Sequence, residues 1–150
     1  NSGFAIVGNM GSHTRFDYTM IGDSVNLASR LEGINKQFGT YTIISRSTME
    51  QMEGLFPARE LARVAVVGRR EPVTVYEPMM KDEFEGRKLQ LDRFAEGLAL
   101  FYRGDFSGAS AVFSGLKQDD PVARSYEAKC LDMVDNPPED WQGVWIITTK

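Results

Sequence analysis

Apolar and polar positions change their spacing along the chain, and each change predicts an element. Phe4-Ala5-Ile6-Val7 is a short apolar run between Gly3 and Gly8 and predicts a strand. Gly8-Asn9-Met10-Gly11-Ser12 carries turn chemistry. Phe16 to Ile21 predicts the returning strand of a hairpin. Gly22-Asp23-Ser24 breaks that strand and opens a helix with Asp23 or Ser24 as N-cap. Leu27, Leu31, Ile34 and Phe38 fall on one stripe of this helix, and Gly39 closes it. Tyr41 to Ser45 predicts a strand, and Ser47 or Thr48 caps a short helix ending near Glu53. Leu61 to Val67 and Val73 to Tyr76 predict a second hairpin turning at Gly68 to Pro72. The order β-β-α-β-α-β-β places helices among antiparallel strands, which is an α+β class rather than a doubly wound one.

Beyond residue 80 the pattern becomes helical. Residues 81–87 are charged and predict a boundary, giving two units, 1–80 and 81–150. Leu91, Phe94, Ala95, Leu98 and Phe101 repeat at helical spacing and stop at Gly104. Asp105 opens a second helix with Ala109, Val112, Phe113 and Leu116 on one face. Asp120-Pro121 is an N-cap followed by Pro at the first helical position, opening a third helix to about Val134. Asn136-Pro137-Pro138 stops it, and Trp141 to Ile147 predicts a closing extended segment. Gly104-Asp105-Phe106, Ala109, Phe113 and Pro121 follow the punctuation of one tetratricopeptide repeat. A single repeat cannot bury its own face, so these helices should pack on the first unit or on a second chain.

Composition narrows the function. With 42% hydrophobic and 25% charged residues in 150, the chain is an ordinary globular protein. A net charge of −4 argues against a nucleic-acid partner, which calls for a basic face. Residues 1–80 balance 8 basic against 8 acidic side chains, while 81–150 hold 9 against 13. No apolar run approaches the roughly 18 residues of a membrane span, so no membrane contact is expected of this segment. The chain opens Asn1-Ser2-Gly3, without an initiator Met or a basic leader, and reads as a cut from something longer. One cysteine, Cys130, fits a reducing compartment, which implies the cytoplasm or the cytoplasmic part of a membrane-anchored protein. One histidine, His13, reads as a solvated turn residue, and with Cys130 cannot make a zinc site.

The densest polar and glycine-containing stretch is Tyr18 to Arg30. Asn26 and Arg30 stand at i and i+4, so both project from one helix face, on the shoulder of the Leu27 stripe. On an arbitrary helix they would be a solvated amide and guanidinium with a local ion pair. The context is more specific. Gly8-Asn9-Met10-Gly11-Ser12, Arg15-Phe16-Asp17-Tyr18-Thr19 and Ile21-Gly22-Asp23-Ser24-Val25-Asn26-Leu27-Ala28-Ser29-Arg30-Leu31-Glu32 resemble, without gaps, the class III nucleotidyl cyclases, the adenylate and guanylate cyclases. Val66-Val67-Gly68-Arg69 with Val75-Tyr76-Glu77 resembles the last hairpin of that family. The resemblance covers residues 1–80, the C-terminal half of a cyclase catalytic domain, and implies a partial, ferredoxin-like fold.

The resemblance implies the chemistry as well. In the family the ribose 3′-hydroxyl of ATP attacks the α-phosphorus and pyrophosphate leaves, with two ions, magnesium or manganese, between two catalytic domains of a homodimer. Asn26 matches the residue that orients the ribose. Arg30 matches the arginine that stabilises the phosphorane, where a planar guanidinium fits two equatorial oxygens. Thr19 matches a purine-selecting position, where a hydroxyl is common in bacterial adenylate cyclases. Arg15 lies near a phosphate-binding arginine. The family's metal-binding aspartates and its adenine-reading lysine belong to motifs that would precede Asn1. Asp17 and Asp23 read as turn and capping residues. Where many cyclases hold the triphosphate with a lysine just before Gly68, this chain has Val67, and Arg69 is the available substitute.

The expectation is therefore part of a bacterial-type adenylate cyclase that forms cyclic AMP as a homodimer and is inactive as this segment alone. A non-catalytic cyclase-like interaction module, favoured by Val67, and a guanylate cyclase, disfavoured by Thr19, are the alternatives. A half-domain would also leave Ile6, Ile43, Ile44 and Val75 needing a cover. Helices bearing Phe94, Leu98 and Phe101, or a second copy, would supply it.

Overall fold

The computed structural model describes residues 1–12, 15–66, 69 and 71–146, with the backbone alone described at 12, 15 and 16. The expected turn residue His13, together with Val67, Gly68 and the chain end from Ile147, lies outside the described residues. The class is α+β. An antiparallel ribbon of β1 (Ile6–Ser12) and β2 (Arg15–Ile21) leads into α1 (Asp23–Phe38). Then come β3 (Ile44–Ser45), α2 (Arg46–Gln51), β4 (Ala58–Ala65) and β5 (Val73–Pro78). Four helices follow: α3 (Lys81–Gly86), α4 (Lys88–Tyr102), α5 (Phe106–Ser114) and α6 (Pro121–Asp135). The short β6 (Trp145–Ile146) closes the described chain.

The second sheet has the order β3-β5-β4-β6, antiparallel except for β6, which runs parallel to β4. β5 is central, and its residues Val73 to Tyr76 are buried on both faces. β4 carries a bulge between Glu60 and Ala62. The extra residue switches the inward phase from Arg59 and Leu61 to Ala62 and Val64. It also takes the Leu61 carbonyl out of simple ladder register, and that oxygen accepts the buried Tyr126 hydroxyl at 2.7 Å.

One apolar cluster joins β4, β5 and β6 to α1, α4, α5 and α6. Leu27, Leu31, Ile34 and Phe38 of α1 meet Val64 and Val75 of the sheet and Phe94, Leu98 and Phe101 of α4. Tyr126, fully buried, is ringed by Phe38, Phe94, Phe101, Phe113 and Trp145 at centroid distances of 4.8 to 6.0 Å. The helices after residue 80 thus cover the sheet within one chain, which is one of the two covers expected for them. Val75 is buried in this way and Ile43 packs partly buried against the same cluster; Ile44 is also buried, whereas Ile6 stays 71% exposed.

Several elements differ from the sequence reading. Gly8 to Ser12 is paired strand rather than turn. The glycines there fit the pairing, since Gly11 takes φ 154°, a value that resists a Cβ. The expected strand 41–45 shortens to its last two residues, with Tyr41 fully exposed. Ser45, not Ser47 or Thr48, caps α2 through the Thr48 N–H, while Ser47 and Thr48 are drawn into bonds with Ser2. The charged stretch 81–87 forms its own short helix. The N-caps Asp105 and Asp120 fall where expected, accepting from the Gly108 and Val122 N–H groups.

Candidate functional site

The site expected from the sequence centres on the first half of α1. The apolar stripe fixes how this helix sits: Leu27 and Leu31 are each only 3% exposed, and the shoulder beside them faces outward. Asp23, Asn26 and Arg30, spaced i, i+3 and i+7, line that exposed shoulder. Arg30 and Asp17 are each engaged by an interaction within the fold.

The helix start is held by an unusual arrangement. Its N-cap is Gly22, with no side-chain cap. Ser24 instead donates its hydroxyl to the Phe4 carbonyl at 2.6 Å, and Asn1 Nδ2 donates to the Ser24 carbonyl at 2.8 Å. Ser45 donates to Asn1 Oδ1 at 2.6 Å, so the first residue ties the start of α1 to the start of α2. Asp23 is freed from capping and accepts from Arg69, which reaches across from the connection after β4. The carboxylate also lies in the first turn, where the helix dipole favours it.

Arg69 reaches the first turn of α1 through Asp23, about one turn before Asn26 and two turns before Arg30 on the same helix. Thr19 is exposed on β2, paired with Gly8, three residues before Gly22, the N-cap of α1. Arg15 pairs with Ser12 at the far end of the ribbon. It lies four residues from Thr19, about 13 Å along a strand, and its side chain lies outside the described part. The described cavities are elsewhere. One of about 350 Å³ lies between β4 and α4, lined among others by Arg59, Arg63, Leu91 and Tyr102. Another of about 550 Å³ lies beside Met133, Trp141 and Ile146.

Ionisable groups shift most on β4, α4 and α6, away from the first half of α1. Burial pulls the Arg59 guanidinium down, but hydrogen bonding and charge from Asp120 and Glu77 more than offset this and hold it above its ordinary value. Arg59 donates to Glu77 at 2.7 Å and to both oxygens of Asp120, one of them at 3.1 Å. Burial pushes the Tyr126 and Tyr102 hydroxyls up, Tyr102 also by donating to Glu60. Burial pushes the Cys130 thiol up to about 12. The sequence reading missed the Arg59–Asp120 pair. The predicted strand begins at Leu61, so Arg59 falls outside it and carries no signal.

Among the described residues no three side chains of His, Cys, Asp or Glu gather where a cation could sit. The magnesium or manganese ions implied by the resemblance have no ligand set among them. Among the described residues no helix is long and apolar enough to cross a membrane.

No family profile matches the chain. Adenylate cyclase 1 of Rhizobium meliloti is 39% identical over 77 residues, 51% of this chain and 12% of that protein. The adenylate cyclase of Anabaena cylindrica is 37% identical over 78 residues, 50% of this chain and 16% of that protein. The terminal-differentiation-specific adenylate cyclase of Dictyostelium discoideum is 29% identical over 143 residues, 89% of this chain and 7% of that protein. Among solved structures, the adenylyl cyclase CyaB from P. aeruginosa is 38% identical, with a TM-score of 0.44 over 51% of this chain and 38% of that one. The chain thus spans under a fifth of the length of these curated relatives. The sequence similarities support a class III cyclase-like domain.

Proposed function

We propose that this chain is part of an adenylate cyclase that converts ATP to 3′,5′-cyclic AMP and pyrophosphate at a homodimer interface, and that it is inactive by itself. The observation that carries the reading is the exposed Asn26–Arg30 shoulder of α1, rigidly presented by the buried stripe beneath it, in a segment similar to adenylate cyclases.

In this reading each side chain has one task. The Asn26 amide hydrogen-bonds the ribose and holds its 3′-oxygen in line with the α-phosphorus. As that oxygen attacks, negative charge builds on the equatorial phosphoryl oxygens, and Arg30 donates to them in a fork geometry. The P–O bond to the leaving pyrophosphate breaks, the 3′-hydroxyl proton passes to water, and Arg69 and Arg15 neutralise the charge of the pyrophosphate. Thr19 reads the purine edge through its hydroxyl. Arg69 would exchange its contact with Asp23 for the triphosphate, taking the place that Val67 leaves without a cation.

The testing experiment is conversion of ATP to cyclic AMP by the longer protein that carries this segment, with and without Arg30→Ala. Formation of cyclic AMP that collapses in the variant supports the reading. No cyclic nucleotide from ATP or GTP would favour a non-catalytic cyclase-like module, the alternative that Val67 suggests.

A further inference from the structure

The last turn of α1 rests on α6, not on the sheet alone. Phe38, fully buried, stacks on Tyr126 with centroids 6.0 Å apart and planes 11° apart, and meets the edge of Trp145 at 5.1 Å. The Ser125 hydroxyl lies 3.0 Å from the Gln37 carbonyl and 3.1 Å from the Pro121 carbonyl, so its one proton is shared between the end of α1 and its own helix. Gly39 caps the helix at φ 65°, and a Cβ there would lie 3.0 Å from the Pro121 ring. Pro121 is the first residue of α6, directly after Asp120, which Arg59 anchors to β4. Tyr126 adds a bond from α6 to the β4 bulge.

From these contacts we propose that α6 sets the position of α1, so that Ser125, Tyr126 and Gly39 act as positioning residues for the shoulder bearing Asn26 and Arg30. The functional half of the claim rests on the cyclase reading; the mechanical half does not. α1 is a single helix of 16 residues, and Arg30 lies only about 12 Å along it from Phe38. Packed interiors transmit displacement rather than absorb it. A shift or tilt of α6 is therefore delivered to the outward shoulder. Any partner or signal that grips the helices after residue 80 would act on the site through this joint.

The test is amide hydrogen exchange on the 150-residue chain, read by segment. Ser125→Ala removes the bond to Gln37 and leaves the core packing in place. Gly39→Ala forces a side chain against Pro121 and into a strained backbone. Each should speed exchange across the second half of α1 about fivefold, the scale of one lost hydrogen bond, while β4 and β5 keep their protection. Ser125→Thr restores the hydroxyl and should restore protection. Exchange that rises equally in α1, β4 and β5, or does not change in α1 in either variant, would overturn the proposal. In the longer protein, Gly39→Ala should lower kcat and leave KM for ATP unchanged. If α1 responds but no cyclic nucleotide forms in any variant, the cyclase reading fails and the joint stands.

Discussion

At the scale of single residues, Arg30 and Thr19 make opposite demands on an experiment. The charge of Arg30 is needed mostly in the transition state, so Arg30→Ala in the longer protein should cut turnover with little change in ATP affinity. By analogy with oxyanion-hole donors the loss is about 3–4 kcal/mol, a few hundredfold in kcat. Steady-state kinetics with unchanged turnover would remove Arg30 from the chemistry. Thr19 is exposed on β2 and is assigned to selectivity instead of rate. Thr19→Val keeps the shape and removes the hydroxyl, so the preference for ATP over GTP should shrink. An unchanged ratio of kcat/KM for the two nucleotides would place purine reading elsewhere. Asp23 teaches a different lesson. It looked like a cap, yet it faces Arg69, because Gly22 and the Phe4 carbonyl already organise the helix start. Its partner comes from 46 residues away, which no local signal contains.

At the scale of elements, the most consequential contact is again long-range. Arg59 of β4 and Asp120 at the start of α6 are each 7% exposed and meet through both guanidinium nitrogens. Removing one partner leaves the other buried and uncompensated, so Arg59→Ala should cost about 3–5 kcal/mol in urea unfolding. A loss below about 1 kcal/mol would mean that water reaches Asp120 in the native state. The sequence made α1, α4, α5 and α6 legible because their apolar residues keep a 3.6-residue period and their ends carry Asp, Gly or Pro. The stripe Leu27-Leu31-Ile34-Phe38 was readable to the residue, and with it the outward shoulder of Asn26 and Arg30. The β4 phase was not readable. The bulge makes Leu61 and Ala62 both inward, and a bulge is decided by what lies opposite it, here Tyr126. β6 was seen only as an extended segment, since its parallel partner Val64 is set by tertiary packing. The joint between Phe38, Tyr126 and Trp145 was invisible for the same reason.

For the whole molecule, buried weak acids set an alkaline limit. Cys130 titrates ordinarily near 9 and is pushed up to about 12 in the fold; Tyr126 is raised as well, both by burial. An unfolded chain releases these protons first, so it binds fewer of them, and stability falls as pH rises from about 9. Below that pH their contribution is constant. Cys130→Ala should flatten the first part of the decline in Tm between pH 9 and 11, and an identical slope in the variant would assign the decline to the tyrosines alone. The remaining question at this scale is what covers the β1–β2 ribbon. The sheet needs no second chain, since α4 and α6 already bury Val64 and Val75. The ribbon is different. Paired Ile6 and Ile21 are 71% and 56% exposed on one face, and paired Val7 and Met20 are 56% and 57% exposed on the other. A two-stranded ribbon is marginal in water by itself, and edges without lysine or proline invite pairing. Self-association of the chain is therefore expected to run through this ribbon, with exchanged or abutting strands. Sedimentation equilibrium should show a dimer or larger species that Ile6→Lys with Ile21→Lys returns to monomer while the Tyr126-centred core keeps its near-ultraviolet circular dichroism. A parent chain that stays monomeric at high micromolar concentration would mean that the ribbon tolerates water, and would withdraw self-association from the properties of this segment.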